Sequence, residues 1–101
     1  PVQVRGIPVA DGFIPYLEEV AKKMRLEGIR VDIDKSDDRM QKKIRNAQMD
    51  KVPYMMIAGE EDQKNGAISF RYRNGEQKNG IPIEEAIKEV LSAIKNRTQV
   101  Q

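Results

Sequence analysis

The chain of 101 residues contains no cysteine, no histidine and no tryptophan. Without cysteine there is no disulfide framework and no thiol nucleophile. Without histidine there is no Ser-His-Asp or Cys-His arrangement, and zinc sites built on either ligand are excluded. Catalysis by these residues would rest on carboxylates, lysines or hydroxyls alone. No apolar run approaches the roughly eighteen residues that a membrane-spanning helix needs, and no charged segment leads into an apolar one as in a signal peptide. Net charge is scarce too: 18 basic residues against 16 acidic ones leave +2, too little to name a partner. Phosphate-cradling glycine patterns of the GxGxxG or GxxxxGK[ST] kind are absent, which argues against a nucleotide cofactor site.

What remains is an ordinary domain. Hydrophobic residues (39%) and charged residues (34%) are spread along the whole chain, enough for one compact core over residues 1–101. The chain opens at Pro1 and not at a methionine, as a piece of a longer protein would.

Hydrophobic periodicity sets out the elements in order. Val2 and Val4 alternate with Gln3 and Arg5 before Ile7, a first strand. Phe13, Leu17, Val20 and Met24 then recur at helical spacing, with Pro15 in the first turn and Gly28 as the stop. Ile29, Val31 and Ile33 alternate with polar residues, a second strand. Ser36 is placed to cap a second helix carrying Met40, Ile44 and Ala47, with Asp37 and Asp38 at its positive end. The apolar run Val52–Ala58 reads as a strand covered on both faces. Residues 60–66 read as a polar turn, with Asn65-Gly66 a hairpin signal. Ile68, Phe70 and Tyr72 alternate with Ser69, Arg71 and Arg73, Asn74-Gly75 marks another turn, and Ile83, Ile87, Val90, Leu91 and Ile94 form the closing helix. The tail 96–101 is expected to fray. Two right-handed crossovers imply a parallel core of three strands with hairpin strands added to it. The expected fold is α/β: a mixed, mainly parallel sheet of about five strands covered by three helices.

Open α/β sheets bind ligands beyond the carboxyl ends of their parallel strands, here residues 9–12, 34–39 and 59–62. From Lys35 to Lys51, six basic residues stand against three acidic ones. Arg39, Lys42, Lys43 and Asn46 flank the apolar stripe of the second helix, and Arg71 and Arg73 share a strand face. Together they make a footprint for RNA phosphates. Solvated helix and strand faces account for the same pattern. The acidic run Glu60-Glu61-Asp62 invites an acid/base, hydrolase or metal reading, but three consecutive carboxylates on a loop do not converge, and no second cluster partners them. One of them can instead accept from a base amino group. Tyr54, Phe70 and Tyr72 have the chemistry to stack on bases, yet their spacing puts them in the core. Met49 lies opposite the buried stripe and has no assigned role.

The stretch Lys42-Lys43-Ile44-Arg45-Asn46-Ala47-Gln48, then Lys51-Val52-Pro53-Tyr54-Met55, Gly59, Asn65-Gly66, Arg71-Tyr72-Arg73 and Gly75, resembles the C-terminal anticodon-binding domain of threonyl-tRNA synthetases. The likeness begins at Pro1-Val2-Gln3-Val4 and covers essentially the whole chain. It implies the same mixed sheet with three helices, and a domain that grips the anticodon loop of threonine tRNA. Threonine anticodons share G at the middle position and U at the third. The resemblance assigns that guanine to Arg71, whose fork matches O6 and N7, and gives Asp62, just after the third strand, a carboxylate contact to it. Arg39 and Asp37, at the entrance to the second helix, are the further anticodon-binding candidates that the resemblance implies: Arg39 stands where the family often has Lys, Asp37 where it has Asn, and Gln41 where it has Gly. Arg73, Lys35 and Lys42 are phosphate candidates on charge alone. The resemblance further implies a cytoplasmic, homodimeric parent that joins threonine to tRNA with ATP, using Mg2+ and a Zn2+ held in a separate catalytic domain, and no cofactor in this chain. Neither DNA nor a membrane is an expected partner. The alternative is an accessory protein-interaction module that kept the fold without reading RNA, a reading that Asp37 and Gln41 support.

Overall fold

The computed structural model describes the backbone of residues 1–100 and the side chains of residues 1–96; the tail expected to fray lies, beyond Asn96, outside the described side chains. Five strands, β1 (Val4–Pro8), β2 (Val31–Ile33), β3 (Tyr54–Ala58), β4 (Ala67–Tyr72) and β5 (Gln77–Pro82), form one sheet in the order β2-β1-β3-β4-β5. β1 pairs in parallel with β2 and β3, whereas β3–β4 and β4–β5 are antiparallel, so four strands point one way and only β4 opposes them.

α1 (Ile14–Leu26) makes the first crossover and α2 (Met40–Met49) the second. The chain steps from β1 outward to β2 and then back across β1 to β3, so right-handed crossovers demand helices on opposite faces. Leu17, Val20, Ala21 and Met24 of α1 join Val4, Met56, Ile68 and Phe70 on one side, together with Ala86, Ile87 and Val90 of α4 (Ile83–Val100). Ala47 of α2 packs with Ile7, Val52, Met55 and Ile57 on the other. Pro15 sits in the first turn of α1, and Gly28, at φ +87°, takes the left-handed conformation after its last turn.

There are four helices instead of three. The segment expected to be a turn is α3 (Glu60–Asn65): its three acids occupy the positive first turn, Lys64 the last, and Gly66 is its left-handed stop (φ +63°), not a hairpin residue. The Gly59 N–H donates to Asp62 Oδ2 at 3.2 Å, closing the helix start. Asn74-Gly75 does turn β4 into β5. Among the described residues no helix is long and apolar enough to cross a membrane.

Two further expectations change at α2. Ser36 does not cap it: the Ser36 N–H donates to Asp34 Oδ1 (3.0 Å), and the Asp38 N–H donates to Ser36 Oγ (3.3 Å), so residues 36–38 form a bend and the helix starts at Met40. Asp37 is therefore exposed in that bend, not in a first helical turn. Lys43 is not solvated either. It is 4% exposed, and its ammonium donates to the Asp34 carbonyl at 3.4 Å, fastening the bend to the helix.

Candidate nucleic-acid interface

Side chains alternate between faces along a strand, so β4 divides its residues cleanly. Ile68, Phe70 and Tyr72 face α1 and α4; Ser69 and Arg71 face the α2 side, level with Ile57 and Met55 of β3. α2 packs over the β1–β3 half of that side, and the apolar cluster beneath it includes no residue of β4 or β5. The remaining half lies outside α2 and opens only toward β5: Ser69, beside α3, is 6% exposed, Arg71 is half-buried, and Gln77 and Asn79 are exposed. Arg71 stands on it.

Its guanidinium is the most telling group on this surface. Arg71 is half-buried, and its Nε is shielded from solvent without any hydrogen-bond partner. The terminal nitrogens are not shielded and, among the described residues, no carboxylate pairs with them. A shielded donor left unsatisfied costs about 1–3 kcal/mol, and among the described residues none satisfies this one. One residue back on the same face, the Ser69 hydroxyl donates to Asp62 Oδ1 at 3.4 Å. Asp62 is thus fixed by Gly59 and by Ser69, the neighbour of Arg71 on this strand face, with each carboxylate oxygen keeping a free lone pair.

The other candidates lie apart from this pair. Arg39 and Lys42 line a groove of about 390 Å³ on the outer face of α2, together with Gln41, Arg45 and Asn46. Lys42 reaches Asp38 at 3.5 Å, one turn back, while Arg39 and Arg45 have no ion pair among the described residues. Lys35 is bound to Glu18 of α1 at 2.9 Å, away from the groove. Arg73 does not share a strand face with Arg71: β4 ends at Tyr72, and Arg73 is exposed in the hairpin turn. The expected single basic surface at the strand ends is therefore two surfaces. Arg39 stands where β2 delivers the chain to α2, but Arg71 pairs with Met55, the second residue of β3, toward the opposite end.

The aromatic candidates are core. Tyr54 and Phe70 rings lie 5.1 Å apart, Tyr54 and Tyr72 5.7 Å, under α4. The Tyr72 hydroxyl donates to Glu89 at 2.6 Å, and burial first, then that bond, push its pKa up. Met49 is exposed. Glu60, Glu61 and Asp62 serve the start of α3, and among the described residues no group of three or more acids converges on a metal position.

Residues 3–93 match the family model described as "Anticodon binding domain". The chain is 61% identical over 100 residues to a threonine–tRNA ligase of Streptomyces griseus and 59% identical to one of Thermobifida fusca; each match covers 99% of this chain. It spans only about 15% of the length of those relatives. Among solved structures, the RNA-binding domain of threonyl-tRNA synthetase from Cryptosporidium parvum superposes with a TM-score of 0.85 at 23% identity, covering 91% of this chain and 23% of that one. A histidyl-tRNA synthetase from Nostoc superposes with the same score at 19% identity, covering 93% of this chain and 23% of that one. These two likenesses speak for the fold, and they agree with the strand order and helix placement above. By sequence and by architecture alike, the chain belongs to the anticodon-binding-domain family.

Proposed function

We propose that this chain is the anticodon-reading domain of a threonyl-tRNA synthetase, and that it selects threonine tRNA for a parent enzyme joining threonine to it with ATP. In this reading no bond is made here. Grip on the anticodon loop presents the acceptor end to a catalytic domain elsewhere in the parent, a cytoplasmic homodimer, and that domain holds ATP, Mg2+ and Zn2+.

One observation carries the reading: a half-buried guanidinium fork on the part of the sheet face that α2 leaves uncovered, with no carboxylate partner among the described residues and a shielded donor unsatisfied. An arginine fork matches guanine O6 and N7. In a splayed loop the Watson–Crick edge of the same base is also free, and Asp62, held one residue pair away, accepts from its amino group. Arg39 and Lys42, with Arg45, line a groove suited to backbone phosphates, and Arg73 adds a cation at the hairpin tip. Lys35 joins them only by giving up Glu18. Asp37 can accept a base N–H but not donate to a base carbonyl, so it cannot replace an Asn in kind. The rival reading, an accessory module without RNA readout, has only the departures at Asp37 and Gln41 behind it, and the threonine–tRNA ligase relatives do not favour it.

The test is binding of threonine-type anticodon stem-loops that differ only in the middle base. Wild type favours guanine over adenine, and Arg71→Ala loses about 1–3 kcal/mol of that preference. If Arg71→Ala rejects the adenine loop as strongly as wild type does, the reading is wrong.

A further inference from the structure

The open face does not end at β4. Arg71 stands directly opposite Gln77 of β5, and side chains at such positions are neighbours across an antiparallel ladder, with Cβ atoms about 5 Å apart. Farther along, the register shifts: Phe70 pairs with Lys78 and Ile68 with Ile81, so Asn79 and Gly80 both stand opposite Ser69. This is a bulge, and Gly80 at φ +65° supplies its left-handed residue. Asn79 is thereby set beside the Ser69–Asp62 pair as Gln77 is set beside Arg71. The two amides are joined, since Gln77 Nε2 donates to Asn79 Oδ1 at 2.8 Å.

That bond settles what the pair offers to a ligand. Gln77 keeps its carbonyl oxygen free and Asn79 keeps its amide N–H groups free, so an acceptor and a donor stand side by side on exposed, uncharged side chains. Lys78 points to the other face, 4.0 Å from Glu89 of α4. The β5 part of the open face is therefore neutral where the α2 groove is cationic, and it complements a neutral group that both donates and accepts. The ribose 2′-hydroxyl has that character, and so does a base edge carrying N–H beside C=O.

We infer that Gln77 and Asn79 form a second contact site for RNA, taking a nucleotide that flanks the one held by Arg71. The inference rests on the RNA reading proposed above. The test uses the double variant Gln77→Ala/Asn79→Ala and the anticodon stem-loop. Its loops carry a 2′-deoxy substitution or a base change at each nucleotide beside the middle one. The double variant binds the unmodified loop about tenfold more weakly, while its preference for a middle guanine and the salt dependence of its binding stay as in wild type, because no charge is lost. One flanking substitution weakens wild type several-fold and leaves the double variant unaffected: a 2′-deoxy identifies the ribose, a base change the base edge. Wild-type affinity in the double variant, or equal sensitivity of both proteins to every flanking change, overturns the inference. If Arg71→Ala behaves as expected while the double variant binds like wild type, only this inference falls. If Arg71→Ala keeps full middle-base preference, or the wild-type chain binds no stem-loop, the RNA reading falls and takes this one with it.

Discussion

Replacing Arg5 with methionine removes a side chain that joins β1, β2 and the end of α2 at once. Arg5 Nε and Nη2 donate to the two oxygens of Asp32 at 2.9 and 3.2 Å, and Nη1 donates to Asp50 at 2.8 Å. The arginine side chain is only 15% exposed, whereas Asp32 is 42% and Asp50 59% exposed. A shielded charge-assisted hydrogen bond contributes about 1.5–3 kcal/mol, but an exposed pair only about 0.2–1. Weighting the Asp32 fork as half-shielded and the Asp50 bond as exposed gives a loss of about 2 kcal/mol; methionine keeps the packing of the stem. For a chain of this length that lowers the urea midpoint by about 1.5 M. Asp32→Asn should cost less in the Arg5→Met background than in wild type, by about 1 kcal/mol. An Arg5→Met protein with an unchanged midpoint and no such coupling would refute the idea that this fork fastens β2 and α2 to β1.

Two other outcomes follow from local geometry. Because the Tyr72 pKa is raised in the fold, by burial first and then by Glu89, its contribution to stability is complete below about pH 10 and is lost as pH rises through the raised value. Tyr72→Phe should cost about 1 kcal/mol at pH 7 and make the alkaline fall shallower, though not flat, since Tyr16 and Tyr54 are also raised by burial; identical alkaline slopes would contradict this. Gly66→Ala meets no atom within 4 Å, so its cost is the strain of φ +63° alone, about 1 kcal/mol by urea unfolding. An alanine variant as stable as wild type would show that this conformation is not what ends α3.

Much of the fold was legible because burial imposes a period. The spacing of Leu17, Val20 and Met24, the unbroken Met55–Ala58 run and the Ile83–Val90 stripe each report which faces are covered. α3 escaped because six polar residues carry no hydrophobic period; the signal present was electrostatic, three acids, then Lys64, then Gly66. Ser36 departs from the helix-cap expectation because a hydroxyl that can cap a helix can equally close a turn, and the local bond from its N–H to Asp34 holds it in the turn. Lys43 was recoverable: it shares the helical phase of Met40 and Ala47, and only its charge argued for solvent. In the candidate site, family likeness points to Arg71 and Asp62, but the lack of a partner for Arg71 among the described residues has no sequence signal, since pairing is settled by residues distant in sequence. Gln77 and Asn79 had no signal at all. An exposed edge strand of mixed polar residues has no period, and their relation to Arg71 exists only through the β4–β5 register.

The most direct measurement bears on single atoms at the proposed contact. A stem-loop whose middle guanine is replaced by 7-deazaguanine loses one of the two acceptors of the fork while keeping its Watson–Crick edge. Wild type should bind it about tenfold more weakly than the unmodified loop, and Arg71→Ala should bind the two equally. An equal loss in both proteins, or no loss in wild type, would mean that the Arg71 fork is not what holds that base.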